Sequence, residues 1–226
     1  MKTATLVVAV LAFLAVSSVQ ADAIAVLNPG FTTPSYTGLN QDWDIQPDNW
    51  TYSRGAINGN YADFITRGGI GGYGSGQMAL MQVWNAYSQF SQNLAASATA
   101  GATYTLSCKA GMWANNDSAP GADPANIYTF TVLAGTTPVL TLTGDVTTLS
   151  ETGVVGGTWT QGGSALSLTS AAVPGSLAGQ PLSIVLRVEG ASAMIGVDDV
   201  ALTMTPEPAT MALLAFGGIS LLRRRK

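Results

Sequence analysis

Two adjacent carboxylates near the end of the chain, Asp198 and Asp199, stand where a side chain could do chemistry. The segment 197–202 alternates as a closing β-strand does, and Asp198 shares its register with the apolar residues Val200 and Leu202. Unless a bulge intervenes, Asp198 is therefore predicted to point toward the core. A buried carboxylate must be neutralised, hydrogen-bonded or bound to a metal ion. One interpretation is that it caps backbone N–H groups of the N-terminal loop.

Aromatic side chains offer a second kind of chemistry, because their apolar faces suit the shallow recognition of sugars. Trp113 is the first candidate for sugar stacking, since it lies on the polar side of its strand's alternation and leads into the polar segment 115–117. Trp84 and Tyr73 are further candidates. Most tryptophans lie in a domain's core, so we expect only one or two of the chain's aromatic candidates to be exposed.

The catalytic repertoire of the chain is narrow. It has no histidine and one cysteine in 226 residues, which excludes Ser-His-Asp and Cys-His systems, histidine-ligated metals and internal disulfides. The thiol of Cys108 falls on the apolar face of its strand and is predicted to be inert. Glycoside hydrolysis needs a pair of carboxylates across a bond, and the spacing of Glu151 and Glu189 singles out no such pair. No catalytic residue is therefore assigned.

The charge balance is acidic, with a formal net charge of −4 and a pI near 4.5. Residues 24–205 are more acidic still, because most of the basic residues lie at the two ends of the chain. Nucleic-acid binding requires a basic patch, so this balance argues against a nucleic-acid partner.

Residues 1–23 are predicted to be a secretory signal peptide. Lys2 precedes an uncharged apolar run over residues 6–16, and Ala21 and Ala23 form a small-residue cleavage pattern, with residues 19–21 as a rival. A transmembrane helix needs about 20 apolar residues, more than this run supplies. The prediction implies export through the Sec translocon. The alternative is a buried N-terminal helix.

Residues 206–226 combine a proline-rich triplet, an apolar run and a basic end. The triplet is Pro206, Glu207 and Pro208, the apolar run covers 209–222, and the basic end is Arg223, Arg224, Arg225 and Lys226. An apolar helix of about 14 residues spans roughly 21 Å, which is short of a hydrocarbon core of about 30 Å. The basic end would stay on the cytoplasmic side, with the preceding domain outside. We expect a short transmembrane helix that anchors weakly.

This ordered set resembles the PEP-CTERM sorting signal of exported bacterial proteins. The resemblance implies that an exosortase, a membrane-embedded transpeptidase-like enzyme, cleaves the chain near Pro206, Glu207 and Pro208. It also implies only a transient stay in the inner membrane of a Gram-negative-type bacterium, followed by the cell surface or extracellular matrix. The resemblance covers residues 206–226 and is silent on the activity of the rest.

The central region, residues 24–205, is predicted to be one all-β domain, an antiparallel β-sandwich. Apolar and polar residues alternate over residues 103–112, 129–132, 140–143 and 182–189, and clusters of Gly, Pro and Asn separate these runs. Residues 78–87 are the one stretch that could pass for a helix, and Val83-Trp84 favours a strand there.

The order of these features resembles the galactose-binding-like jelly rolls, which include many carbohydrate-binding modules. The resemblance rests on residues 26–31, 101–106 and 197–202. It implies a structural Ca²⁺ where the first and last strands meet, with Asp198 and Asp199 as its carboxylates and hard oxygen ligands of the kind that Ca²⁺ prefers. One departure is Thr32, where that family often has an acid. No other cofactor is expected.

Together these features predict an exported, non-catalytic β-sandwich that a C-terminal signal sorts to the cell surface, where extracellular polysaccharide is a possible partner. One alternative is a carbohydrate-binding module that uses exposed aromatic rings. Another is a hydrolase of unassigned type.

Overall fold

The computed structural model describes residues 20–32, 42–43, 47–55, 63–67, 78–114, 126–155, 158–160 and 164–207. In these ranges the chain forms twelve β-strands and two short 3-10 helices. The strands are β1 (Asp22–Ile24), β2 (Asp42–Trp43), β3 (Thr51–Arg54), β4 (Asp63–Arg67), β5 (Met78–Ser97), β6 (Thr103–Ala114), β7 (Ile127–Ala134), β8 (Thr137–Asp145), β9 (Glu151–Val155), β10 (Thr158–Thr160), β11 (Ser164–Thr169) and β12 (Pro181–Thr205). The 3-10 helices are η1 (Val146–Thr148) and η2 (Gly175–Leu177).

A long antiparallel ribbon of β5 and β12 runs through the whole sheet. The two strands keep one register from Ser183 to Val197 of β12. On its other edge β12 pairs first with β7 and then with β6. β5 pairs with β4 near its start and with β3 further along. The ribbon thus joins a first half-sheet, with β3, β7 and β8, to a second half-sheet, with β4 and β6.

The remaining strands extend the second half-sheet. β1 pairs with the end of β12, β11 with β6, β2 with β4, and β10 with β9. Pairing is antiparallel throughout the described strands except between β6 and β9, which run parallel. The prediction of an antiparallel β-sandwich is confirmed, as is the strand over residues 78–87.

The ribbon turns a different side to the core in each half-sheet. In the first half-sheet the even-numbered Leu186 and Val188 are fully buried, whereas in the second the odd-numbered Ile195 and Val197 are. Because β5 and β12 stay in register between these points, no bulge between them causes the change. Right-handed twist accumulates along a ribbon of this length and accounts for it.

Asn126 ties down the ribbon where the change occurs. Its Oδ1 accepts a hydrogen bond from the backbone N–H of Ser192 at 3.2 Å, and its Nδ2 donates to the carbonyl of the same residue. Gly190, just before, has φ 147°. A buried amide that satisfies both backbone groups of one residue fixes that residue's position.

One main core connects both half-sheets, and the predicted alternation supplies it. In β6 the buried hydrophobic residues Tyr104, Leu106, Cys108 and Ala110 follow the predicted alternation. The aromatic residues of the N-terminal loop also join this core: Phe31 and Trp50 are buried, with ring centroids 5.2 Å apart.

Several predictions concern residues outside the described ranges. These are residues 1–19 of the signal peptide, Tyr73, Pro208 and the apolar run with its basic end, Arg223 to Lys226. Among the described residues, no helix has the length and apolar character needed to cross a membrane. The described sandwich begins with β1 at Asp22, inside the segment predicted as signal peptide.

Candidate functional site

A β-bulge in β12 shapes the candidate site. Asp198 pairs with Lys109 of β6 and Ala201 pairs with Ser107, so Asp199 and Val200 together stand opposite one residue of β6. Asp199 has φ 52°, in the left-handed region that Asp tolerates better than most residues. Such a bulge re-aims the side chains on either side of it.

Because of the bulge, Asp198 does not point toward the main core as strict alternation predicts. The side chain is fully buried, as predicted. However, Asp198 pairs with the half-exposed Lys109 and follows Val197, which lies in the main core. Asp198 therefore lies on the side of the half-sheet away from the main core, and the extra residue of the bulge returns Val200 and Leu202 to the core.

The carboxylates of the bulge have defined partners. Asp198 Oδ1 accepts a hydrogen bond from the backbone N–H of Asp199 at 2.8 Å. Asp199 Oδ2 lies 2.8 Å from Lys109 Nζ, and both side chains are about two-fifths exposed. The hydrogen bond that Lys109 donates to Asp199 raises the pKa of Lys109, with smaller charge contributions from Asp199 and Asp198. Lys109 therefore stays protonated and acts as a cation rather than a base.

The N-terminal loop approaches the bulge through its backbone. Val200 N–H donates to the carbonyl of Pro29 at 3.0 Å. The carbonyl of Asn28 accepts from Phe31 N–H at 3.1 Å and from Trp50 Nε1 at 3.2 Å. Positive φ angles of 49° at Asn28 and 51° at Phe31 form the turn between them. The loop that follows β1 thus meets the last strand at the bulge, two residues after Asp198.

The residues present are compatible with a hard cation beside Asp198. Ca²⁺ takes six to eight oxygen ligands, including backbone carbonyls. A buried carboxylate and the carbonyl-rich turn at residues 28–31 are donors of that chemistry. The described residues contain no cluster of three acidic, Cys or His side chains, so most ligands of such an ion would be carbonyls or water.

A second buried surface lies next to Asp198 on the second half-sheet, on the side away from the main core; we call it the second face. Met78 and Leu80 form a separate buried cluster there, with Met194 packed against them. Gly196 pairs with Leu80 and Gly111 on its two sides. A Cβ at Gly196 would lie 2.6 Å from the sulfur of Met78, so this glycine is needed for the packing.

Gln82 places an amide in this apolar setting. It pairs with Met194 of β12 and with Asp63 of β4. Its Oε1 is buried and has no hydrogen-bond partner among the described residues. Buried amide oxygens are rarely left unpaired, and a few polar groups in an apolar setting are typical of a ligand site.

The backbone places two predicted sugar-stacking residues on this half-sheet. Trp84 lies two positions after Gln82 in β5 and pairs with Ser192. Trp113 follows Met112, which pairs with Ile195, so its register position is toward Met194. Tyr73 lies outside the described residues.

Cys108 is chemically quiet, as predicted. It lies in the main core, and burial raises the pKa of its thiol to about 12. A thiol reacts as its thiolate, which is absent at neutral pH under these conditions.

Sequence reasoning missed Gln82, Gly111 and Gly196. The two glycines stand opposite each other in β12 and β6, and glycine inside a strand is a signal of close approach. Gln82 breaks the apolar run of residues 78–83, which is a signal as well. Neither feature of the sequence shows that these residues share one face of the sheet, because that requires the order of the strands.

The fold and the site define an antiparallel β-sandwich with a buried carboxylate next to a bulge in its last strand. The chain belongs to the HpiC1-like family, described as HpiC1 cyclase, which it matches over residues 22–203. It also matches the PEP-CTERM protein-sorting motif over residues 205–226, which marks it as an exported protein sorted to the cell surface. Among curated proteins none matches this sequence.

Two solved cyclase structures share the fold. The Stig cyclase Fisc from Fischerella sp. TAU, in complex with (3Z)-3-(1-methyl-2-pyrrolidinylidene)-3H-indole, is 20% identical and has a TM-score of 0.60 over 83% of this chain and 99% of that one. An apo cyclase from Fischerella sp. is 19% identical, with a TM-score of 0.59 over 84% and 98%. A carbohydrate-binding module, TmCBM61 in complex with beta-1,4-galactotriose, is 14% identical, with a TM-score of 0.48 over 79% and 97%.

Proposed function

We propose that this chain is a non-catalytic β-sandwich protein that leaves the cell through the Sec translocon and that an exosortase delivers to the cell surface or extracellular matrix. The observation that carries the proposal is the direct join between sandwich and signal. The sandwich family matches up to residue 203, and the sorting motif begins at residue 205, where β12 ends. The sorting motif thus follows directly after the last strand of this domain.

The groups near the bulge support a binding role over a catalytic one. Lys109 is held as a cation by Asp199, so it is no general base. The Cys108 thiol is too weakly acidic to serve as a nucleophile. The sequence has no histidine to share a proton at neutral pH.

Intact-mass spectrometry of the protein recovered from the surface and medium of its native host tests the sorting proposal. We expect a dominant species that ends between Thr205 and Pro208 and lacks the block from Arg223 to Lys226. Dominant recovery of a chain that still ends in Lys226 would overturn it.

The non-catalytic part of the proposal has its own test. The purified mature protein is incubated with 4-(1H-indol-3-yl)butan-2-one and with (3Z)-3-(1-methyl-2-pyrrolidinylidene)-3H-indole, the two compounds bound in the Fischerella cyclase structures. We expect no conversion of either compound by mass spectrometry. Turnover that Asp198→Asn abolishes would instead make the protein an enzyme.

Carbohydrate binding at the second face is a second candidate function. The buried, unpartnered Gln82 Oε1 favours it, because a sugar hydroxyl is a suitable donor and the backbone places Trp84 and Trp113 on the same half-sheet. Glycan-array binding by the mature protein, with Trp113→Ala and Gln82→Ala as loss-of-binding variants, tests it. Gln89→Ala, a half-buried β5 glutamine in the other half-sheet, is the matched control. Binding to no glycan by the unaltered protein would remove this function.

A further inference from the structure

The sorting motif is joined to the folded sandwich without a spacer. β12 ends at Thr205, and Pro206 and Glu207 follow at once. A protease that works near this motif therefore meets folded structure immediately upstream of it.

The end of β12 is held on both edges. Thr205 pairs with Thr103 of β6. Met204 pairs with Tyr104 of β6 on one edge and with Asp22 of β1 on the other. Further in, Leu202 is fully buried in the main core.

Glu207, the acid of the sorting motif, rests against the turn between β5 and β6. A Cβ built at Gly101 would lie 3.0 Å from Glu207 Cδ and 3.1 Å from Glu207 Cβ. Gly101 has φ +74°, and its N–H donates to the carbonyl of Val173 at 2.8 Å. The missing side chain at position 101 leaves the space that Glu207 occupies.

We propose that processing requires residues 203–205 of β12 to leave the sheet together with Glu207, and that this opening stops at Leu202. The inference rests on the proposed sorting function. Recognition of an extended peptide uses its backbone N–H and C=O groups for strand pairing. In the folded protein the same groups are already paired with β6 and β1. The two pairings exclude each other, so the sandwich limits the rate of its own processing.

A cysteine pair that locks the end of β12 tests the proposal in the full-length protein exported by its native host. The variant Thr103→Cys with Thr205→Cys joins directly opposite residues. Its control is Ser107→Cys with Ala201→Cys, another directly opposite pair of the same two strands, placed beyond Leu202. The native Cys108 does not compete, because it is buried and protonated.

Pulse-chase labelling follows the ratio of unprocessed to processed chain, and a non-reducing gel verifies each disulfide. We expect the oxidised end-locked variant to accumulate as the unprocessed chain until a reductant is added, and the control pair to be processed at the rate of the unaltered protein. Processing of the oxidised end-locked variant at that rate would overturn the inference. Equal blockage of both variants would also overturn it, because the opening would then extend past Leu202.

Glycine variants test the contact with Glu207 without a cross-link. Gly101→Ala pushes Glu207 away and should speed processing. Gly135→Ala introduces a similar clash, with Gln180 Oε1 at 2.9 Å and φ +60°, far from the sorting motif in sequence. Gly179→Ala, with φ +79° and open space around it, adds strain alone. Faster processing in all three variants would show general loosening and would contradict a role for the Glu207 contact.

The two proposals fail differently. If the unaltered protein is never processed, the sorting function is wrong. If it is processed and the end-locked variant is processed equally fast, only the inference about β12 is wrong.

Discussion

The Lys109 ammonium and the Asp199 carboxylate lie 2.8 Å apart at the bulge that interrupts the regular pairing of β12 with β6. The pair joins the bulged residue to the neighbouring strand while Asp198, one position earlier, is buried. Asp199 thus has two structural tasks: it occupies a left-handed backbone conformation with φ 52°, and it pairs with the cation.

These two tasks can be separated by substitution. Asp199→Asn removes the charge but tolerates the left-handed conformation, whereas Asp199→Ala loses both. Since that conformation costs most other residues roughly 1–2 kcal/mol, we expect the alanine variant to melt at a clearly lower temperature than the asparagine variant. The asparagine variant should also lose part of the salt dependence of unfolding, because exposed ion pairs are screened. Thermal unfolding at low and high salt measures both effects. Equal melting of the two variants would mean that the backbone conformation at position 199 carries no cost.

The strands could be predicted from the sequence because burial in a sheet leaves a period of two. Residues Leu182 to Val188 alternate cleanly and form the first part of β12, as predicted. The same period places Cys108 correctly on the apolar face of β6.

The side on which Asp198 lies could not be predicted in the same way. A bulge adds one residue without changing the composition of a strand. Here it places Asp198 and Val200 on opposite sides of the sheet, although strict alternation would place them on the same side. The change of buried side between Val188 and Ile195 depends on the twist of a paired ribbon, which no single strand shows. The second face around Gln82 was missed because it needs the order β6–β12–β5–β4.

Burial of Cys108 predicts a loss of stability at alkaline pH. Burial raises the pKa of the thiol from 9.0 to about 12, so the folded state keeps its proton where the unfolded state loses it. The stabilising contribution is complete below pH 9 and declines as the pH rises toward 12, by at most about 1.4 kcal/mol per pH unit. Burial also raises the pKa of Tyr128, so its contribution to stability falls with rising pH as well.

The Cys108→Ala variant isolates the contribution of the thiol. We expect its free energy of unfolding to fall less steeply between pH 9 and pH 11 than that of the unaltered protein, in denaturant titrations at each pH. Alkylation should report the same burial: the native thiol should resist iodoacetamide at pH 8 and react once denaturant is added. Rapid alkylation of the folded protein would contradict the buried position of Cys108.

Calcium binding beside Asp198 is a prediction that metal removal can test. If a cation bridges this carboxylate and the turn at residues 28–31, excess chelator should lower the melting temperature of the mature protein, and added Ca²⁺ should restore it. Asp198→Asn should melt at one temperature with and without chelator, because a neutral amide is a much weaker ligand for a hard cation. Asp145→Asn is the control, since Asp145 is partly exposed and accepts hydrogen bonds from Thr147 at the start of η1. Identical melting of the unaltered protein under both conditions would remove the calcium site.

The pairing of β1 predicts which signal-peptide cleavage site is used. Asp22, Ala23 and Ile24 pair with Met204, Thr203 and Leu202 of β12. Cleavage after Ala21 leaves this strand whole, whereas cleavage after Ala23 removes two of its three residues. Each backbone hydrogen bond contributes about 0.5–1.5 kcal/mol, so a chain that begins at Ile24 should unfold at a lower denaturant concentration.

Mass spectrometry of the N-terminal peptide of the exported protein identifies the site. We expect the dominant peptide to begin with Asp22. Purified proteins that begin at Asp22 and at Ile24, compared by denaturant titration, provide the stability control. A dominant peptide that begins with Ile24, together with equal stability of the two proteins, would show that β1 adds nothing to the mature sandwich and that the end of β12 is held by β6 alone.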